Sequence, residues 1–105
     1  MKKRASVPYD EWFQEVLEKD SQFAVDYLKT AFEEATDAIG RKVLLGAIKQ
    51  VAKAQGINKV AQAAGIRRES LSRALSERGN PRIDTLLSII HAIGLELTVK
   101  PISAK

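Results

Sequence analysis

The stretch 56–79, GINKVAQAAGIRRESLSRALSERG, constrains the fold of this chain more than any other part of the sequence. Residues 57–64 repeat apolar side chains at helical spacing, and residues 67–78 do the same a few positions later. Gly65 lies between the two segments, and glycine ends a helix at little cost because it readily adopts a positive φ. The stretch therefore predicts two short helices joined by a tight turn, the second crossing the first.

The second of these helices is expected to have two chemically different faces. Leu71 and Leu75 recur one turn apart and predict an inner face that packs on the first helix. The outer face carries side chains that pair with base edges in a DNA major groove, arginine with guanine and glutamate with cytosine. The alternative is that these charges are solvated or form an ion pair one turn apart. The predicted base-contacting residues are Arg68, Glu69, Ser72 and Arg73.

This stretch resembles the helix-turn-helix of the Cro and lambda-repressor superfamily. The matching residues are Ala61, Gly65, Ile66 and Leu71, followed by GNP at 79–81. The wider frame RRESLSRALSERGNPRIDTLLSIIHAIGLELTV is similar to HigA-type addiction-module antidote proteins. Arg67 departs from the pattern, because the family usually places a Ser or Thr cap there. Arginine has no hydrogen-bond acceptor, so this helix is expected to begin without a side-chain cap.

The resemblance implies both a fold and a set of partners. The fold is all-α, a lambda-repressor-like helix-turn-helix bundle that binds palindromic operator DNA as a homodimer, on half-sites about 34 Å apart. The second implied partner is a small basic toxin of the RelE or HigB type. In the superfamily, the loop after the second helix meets the DNA backbone. With two further basic side chains of the same stretch, the predicted phosphate-contacting residues are Lys59, Arg67, Asn80 and Arg82.

The charge distribution separates two regions of the chain. Residues 1–55 have nine basic and nine acidic side chains, whereas residues 56–105 have eight basic and four acidic ones, so the net charge of +4 lies in the second half. Within 10–37 there are two lysines and nine acids. A basic half suits DNA phosphates, and an acidic segment suits a basic protein partner. The simpler alternative is that both are solvated helix faces.

Taken in order, the chain divides into five parts. Residues 1–9 form a flexible basic arm that contacts a minor groove or is merely solvated. Residues 10–37 form an acidic helical extension, with helices at 10–19, capped by Asp10, and at 20–36. Residues 38–94 form the helix-turn-helix domain, whose first helix at 38–55 is capped by Asp37 and whose last helix covers 83–93. Val43 and Ile83 are expected to face inward. A strand at 95–100 and a tail at 101–105 follow.

The segment LELTVK at 95–100 alternates apolar and polar side chains, which is the period of a half-buried strand. A single strand has no partner within an all-helical chain, and an isolated strand is unstable in water. The segment either lies along the helices or pairs with a second copy across a two-fold axis. Pairing in a dimer is the favoured interpretation.

Composition argues for binding rather than catalysis. The chain has no cysteine and one histidine, which excludes thiolate and multi-histidine metal sites, and it has no glycine-rich phosphate loop. No enzyme activity, cofactor or metal is therefore expected. No apolar run reaches the ~18 residues of a membrane span, and the start lacks the apolar stretch of a signal peptide. These features predict a cytoplasmic protein without a membrane partner.

Three functions remain open on the sequence. The first is the antidote of a type II toxin–antitoxin pair that represses its own operon. The second is a free-standing repressor, derived from a phage, that has no toxin. The third is a protein-interaction module that keeps the helix-turn-helix shape without binding DNA.

Overall fold

The computed structural model describes residues 6–102, with side chains described from residue 11 onward. Within this range the chain forms six helices and no strand. The helices are α1 (Ser6–Lys19), α2 (Ser21–Glu33), α3 (Ala38–Gln55), α4 (Ile57–Ala64), α5 (Arg68–Ala74) and α6 (Ile83–Ala92). Residues 1–5 of the predicted flexible arm and 103–105 of the predicted tail lie outside the described residues. The rest of the predicted arm, residues 6–9, is helical and belongs to α1, so the prediction of a flexible arm is wrong there.

The long helix α3 is the centre of the fold. It packs against α1, α2 and α4. Ile48, Val51 and Ala52 of α3 are at most 2% exposed, because several helices cover the same face. The acidic extension is therefore part of the hydrophobic core rather than an appendage to it.

Polar and aromatic contacts fix the extension on α3. The Gln14 amide of α1 donates to the Gln50 backbone carbonyl at 3.0 Å and to the Gln50 side-chain oxygen at 2.7 Å. The Phe13 ring meets the Tyr27 ring edge-to-face, with centroids 4.9 Å apart. Edge-to-face pairs stabilise beyond their buried area, so α1 and α2 are held to each other as well as to α3.

One of the two predicted aspartate caps, Asp37, is formed, and Asp20 is a cap that was not predicted. The Asp20 carboxylate accepts from Phe23 N at 3.0 Å, and the Asp37 carboxylate accepts from Gly40 N at 2.8 Å. Both bonds satisfy N–H groups that have no partner within their helix. The predicted cap at Asp10 is wrong, because α1 begins at Ser6. Pro8 does not prevent this, since a first-turn residue needs no intrahelical N–H bond.

The helix α2 ends at Glu33, three residues earlier than predicted, because the chain folds back on itself before α3. A Cβ built at Gly40 would collide with the backbone carbonyl oxygen of Glu34. Gly40 is thus required for this close approach, although a glycine lowers helix propensity.

In the second half of the molecule α4 packs against α3, and α5 and α6 pack against α4. Ile89 and Ile90 of α6 are at most 1% exposed, and Val60 of α4 is 2% exposed. The Gln55 side-chain amide donates to the Ile93 carbonyl at 3.0 Å, which gives the end of α6 a partner from α3. Gly94, with φ of +91°, then lets the chain leave the helix.

Two side chains predicted to face inward are exposed instead. Val43 is 59% exposed at the border between α2 and α3, beyond the buried face of α3. Ile83 is 67% exposed because it is the first residue of α6, and the packed positions of that helix begin at Leu86. In both cases helical spacing identified the row of apolar side chains along the helix, but the neighbouring helices cover only part of the length of that row.

The predicted strand at 95–100 is not formed in the described chain. The segment runs along α2 and α6, and it lines a groove of about 300 Å³ with Val25, Phe32 and Ile90. Its backbone makes one hydrogen bond within residues 6–102, from Leu95 N to the Ile90 carbonyl at 3.0 Å. No second extended segment is available within this range, so a strand has nothing to pair with. The Lys100 ammonium donates to the Glu33 carboxylate on α2.

Acid is expected to weaken this attachment of the segment to α2. The hydrogen bond from Lys100, and then its charge, lower the pKa of Glu33 below its ordinary value of 4.5, with a smaller contribution from Lys29. A lowered pKa means that the stabilisation is present above pH 4.5 and is lost as the pH falls through the lowered value. The carboxyl carbon of Glu33, followed by NMR, measures this pKa directly.

In this titration, Lys100→Gln is expected to raise the pKa of Glu33 towards its ordinary value. The matched variant Lys29→Gln removes the weaker cause and is expected to change the pKa less. Identical titration of Glu33 in the wild type and in Lys100→Gln would contradict the contact.

Candidate nucleic-acid interface

The helix α5 is held against the core by two leucines. Leu71 is 0% exposed and Leu75, which follows the helix directly, is 1% exposed. Because these positions lie one turn apart, they fix both the rotation and the depth of a helix that has only two turns. The inner face predicted for this helix is therefore confirmed.

The other side of α5 carries the polar side chains that were predicted to read bases. Arg68, Glu69 and Arg73 are exposed, and Ser72 is partly buried. Glu69 and Arg73 form one row along the helix and Arg68 and Ser72 a second, each pair four residues apart. Within residues 6–102 no ion pair joins Glu69 to Arg73, so the predicted alternative of a mutual ion pair is not formed.

The turn before α5 forms as its sequence predicts. Gly65 has φ of +73°, and its N–H and that of Ile66 donate to carbonyls of the last turn of α4. Arg67 precedes α5 in an extended conformation and makes no side-chain cap. Its guanidinium is exposed rather than used within the fold.

The helix α5 is shorter than predicted, ending at Ala74 rather than at residue 78. The Ser76 hydroxyl donates to the Arg73 carbonyl at 2.8 Å, and Gly79 N donates to the Ser76 carbonyl at 2.8 Å, which replaces helical pairing by turns. A Cβ built at Gly79 would collide with the carbonyl of Ala74, so the chain must cross the helix end closely. Glu77 consequently belongs to the loop and not to the outer face of α5.

The predicted phosphate-contacting residues are all exposed and occupy three successive segments. Lys59 is on α4, Arg67 is in the turn, and Asn80 and Arg82 are in the loop between α5 and α6. Arg82 makes only a distant ion pair, with 4.0 Å between its Nε and an oxygen of Asp84. Pairs of this exposure contribute little to stability, so Arg82 is available to another anion.

The fold adds basic residues that the sequence analysis missed. Arg41 and Lys42, in the first turns of α3, line a concavity of about 420 Å³ together with Arg78 and Asn80 of the loop after α5. These residues lie far apart along the chain, so the sequence does not show that they come together. Arg41 and Lys42 also fall within residues 1–55, whose net charge is zero. The only indication in the sequence was that the two basic residues are adjacent, near the start of the predicted helix 38–55.

The acidic extension presents a different surface. Glu11, Glu15 and Glu18 follow the exposed side of α1 at helical spacing, and Trp12 beside them is 58% exposed. Glu15 is paired with Lys19 at 3.3 Å, whereas Glu11 and Glu18 have no ion pair among the described residues. The molecule therefore offers an acidic helix with an exposed aromatic ring as well as the basic residues around α5.

The described residues contain neither a metal-binding cluster nor a membrane-spanning helix. Among the described residues, no group of three or more histidine, aspartate and glutamate side chains is placed to hold a metal ion. Over the same residues, no helix combines the length and the apolar composition needed to cross a membrane.

Comparison with known proteins supplies the family. Residues 10–101 match the family described as probable addiction module antidote protein. An uncharacterized protein of Haemophilus influenzae is 36% identical over 59 residues, which are 56% of this chain and 61% of that protein. No solved structure matches the chain. Because the family match extends from α1 to the extended segment that follows α6, the chain as a whole belongs to the probable addiction module antidote proteins.

Proposed function

We propose that this protein is a DNA-binding antitoxin that binds a palindromic operator as a homodimer, represses its own operon and neutralises a toxin, with no catalytic activity of its own. Its place of action is the cytoplasm, where both operator and toxin are found. The observation that carries the DNA-binding part is α5, in which Arg68, Glu69 and Arg73 are exposed above two fully buried leucines. This arrangement suits a helix that lies in a major groove.

The proposed base contacts follow from side-chain chemistry. Arg68 and Arg73 each carry a planar guanidinium that can bind guanine O6 and N7 together, and Glu69 can accept from cytosine N4. Ser72 is short and only partly exposed, so it reaches a base edge or a phosphate only when the helix is deeply inserted. The two rows along α5 would then meet adjacent base pairs.

The proposed phosphate contacts surround these bases on either side of α5. Asn80 donates from its amide, and the cations that support this assignment are Arg41, Lys42, Lys59, Arg67, Arg78 and Arg82, all of them exposed. Phosphate contacts of this kind fix the position of the protein on the duplex and carry most of the salt dependence of binding.

The salt dependence gives a numerical prediction. Each neutralised phosphate contributes about −0.9 to the slope of log K against log salt, so six cations on a single half-site give a slope near −5, and about twice that on the palindrome. Fluorescence anisotropy between low and moderate salt measures this slope. Arg82→Gln is expected to reduce it by about 1 per half-site. Lys29→Gln, in the acidic extension, is the matched control and should leave it unchanged, and a flat slope in the wild type would contradict the interface.

We assign the toxin to the acidic side of the molecule. The family is one of antidotes. The resemblance of the sequence to HigA-type proteins implies that the toxin is small, basic and of the RelE or HigB type that cleaves mRNA. A basic partner complements the exposed carboxylates of α1, and an exposed tryptophan such as Trp12 is the kind of side chain that anchors interfaces. The same charge keeps this side away from DNA.

One experiment tests the proposal as a whole. The chain is co-expressed with the open reading frame next to its gene, purified through a tag on that neighbour, and assayed for a shift of the promoter fragment. Co-purification together with a shift and protection of two half-sites is the expected result. A shift without a co-purified neighbour indicates a free-standing repressor, and co-purification without any shift indicates an interaction module.

A further inference from the structure

The extended segment after α6 has unused hydrogen-bonding groups and exposed apolar side chains. Among the described residues, no backbone hydrogen bond involves positions 96–102. Val99 and Ile102 are each 93% exposed, and Leu97 is 37% exposed. An open backbone edge of this kind pairs readily with another extended segment. The occupant it would accept is therefore a strand.

We propose that residues 95–101 pair antiparallel with the same segment of a second copy of this chain, across a two-fold axis that passes through Thr98. The inference rests on the homodimer of the proposed function and specifies how it forms. A two-fold interface uses the same surface on both copies, so the segment must complement itself. Its backbone donors and its side chains both meet this requirement in one register.

The backbone donors are distributed as this register needs. In an antiparallel pair, hydrogen-bonded and non-hydrogen-bonded residue pairs alternate. With the axis at Thr98 as a hydrogen-bonded pair, Leu95 falls opposite Pro101 in a non-hydrogen-bonded pair. Leu95 N is already occupied by the Ile90 carbonyl, and Pro101 has no N–H. The two residues that have no free N–H therefore face each other in a pair that needs no N–H donor.

The side chains agree with the same register. Glu96 falls opposite Lys100 of the second copy, so opposite charges meet twice, and Thr98 falls opposite itself. Leu97 meets Val99 of the second copy in a non-hydrogen-bonded pair, where side chains approach most closely. An axis at Leu97 or at Val99 separates the opposite charges. An axis between residues places the apolar face of one strand with the polar face of the other.

The groove between this segment and α2 would be covered by the pairing. It has a volume of about 300 Å³ and apolar lining from Val25, Phe32 and Leu97. The Lys100 ammonium has three donors, so it can keep the Glu33 carboxylate and still meet Glu96 of the second copy. Exposed ion pairs add little affinity, and their effect here is to select the register.

Sedimentation of the full chain at micromolar concentration tests the pairing. Thr98→Pro removes the N–H at the axis from both copies and is expected to weaken the dimer about tenfold or more. Thr98→Val keeps the backbone donor and the side-chain volume, and its dimer should persist. Circular dichroism identifies any variant that fails to fold. A monomeric wild type, or a dimer unaffected by Thr98→Pro, would overturn the proposal.

Cross-linking tests the register independently, since the chain has no cysteine. Thr98→Cys should form a disulfide between two copies, because Cα atoms of paired residues lie within the ~4.4–6.8 Å that a disulfide spans. Leu97→Cys and Val99→Cys should cross-link when mixed, but each poorly alone, where the paired positions are offset by two residues. Equal cross-linking of all combinations, or cross-linking only to a co-purified neighbour, would reject self-pairing at Thr98.

The dimer measurements and the promoter shift assay together distinguish a failure of the pairing from a failure of the proposed function. If the wild type dimerises and the cysteine variants cross-link as expected, but the wild type shifts no promoter fragment, the pairing stands and DNA binding is rejected. A wild type that is monomeric, yet shifts a single half-site, supports DNA binding and rejects the pairing.

Discussion

Arg73→Ala is expected to weaken operator binding by about 1–3 kcal/mol, or about 5- to 150-fold, and to relax the base preference at one position in each half-site. The reason is that Arg73 is exposed on the outer row of α5 and makes no ion pair among the described residues, so its guanidinium is available to a guanine. Competition binding of the operator and of operators with single base-pair changes measures both effects.

Two comparisons give this result its meaning. Lys29→Ala removes a positive charge from the acidic extension and is expected to leave both affinity and base preference unchanged. Arg73→Lys keeps the charge but loses the planar fork, so it should retain affinity better than base preference. Equal weakening by Arg73→Ala on every sequence would instead assign Arg73 to a phosphate.

Leu71→Ala is expected to lower the free energy of unfolding by about 2–5 kcal/mol, because it removes a fully buried side chain from beneath α5 and leaves a cavity. Chemical denaturation monitored by circular dichroism measures the change. A loss of this size is a large part of the stability of a typical domain, so operator binding should fall as well.

The control for Leu71→Ala is a truncation of similar size on the surface. Ile39 is 74% exposed, and Ile39→Ala is expected to change the free energy of unfolding by no more than about 0.5 kcal/mol. Equal effects of the two variants would mean that α5 does not depend on Leu71 for its position.

Features set by neighbouring residues could be predicted from the sequence. The helices α3 and α4 have the predicted bounds, Asp37 caps α3, and Gly65 takes the left-handed conformation. In each case the residue that determines the feature lies within a few positions of it. A capping side chain is three positions from the N–H that it accepts from, and a glycine lies directly at the helix end. The exposed face of α5 could be predicted for the same reason, because the nearby residues Leu71 and Leu75 fix the rotation of the helix.

Features set by contacts distant in the chain could not be predicted in the same way. The end of α5 depends on Gly79 crossing the carbonyl of Ala74, and the exposure of Val43 depends on how far α2 extends. The strand at 95–100 is not formed in the single chain, since alternation identifies a side-chain pattern but supplies no pairing partner. Arg41 and Lys42 join the candidate site only because α3 runs beside the loop after α5.

The central position of α3 has a consequence for the lifetime of the protein in a cell. Both the acidic helices and α4 pack against α3, so unfolding of α3 would dismantle both surfaces together. A ligand that binds only the folded chain reduces the unfolded fraction in proportion to its occupancy. Toxin bound to the proposed toxin surface would therefore slow proteolysis of the proposed DNA surface, and bound operator would protect the proposed toxin surface in turn.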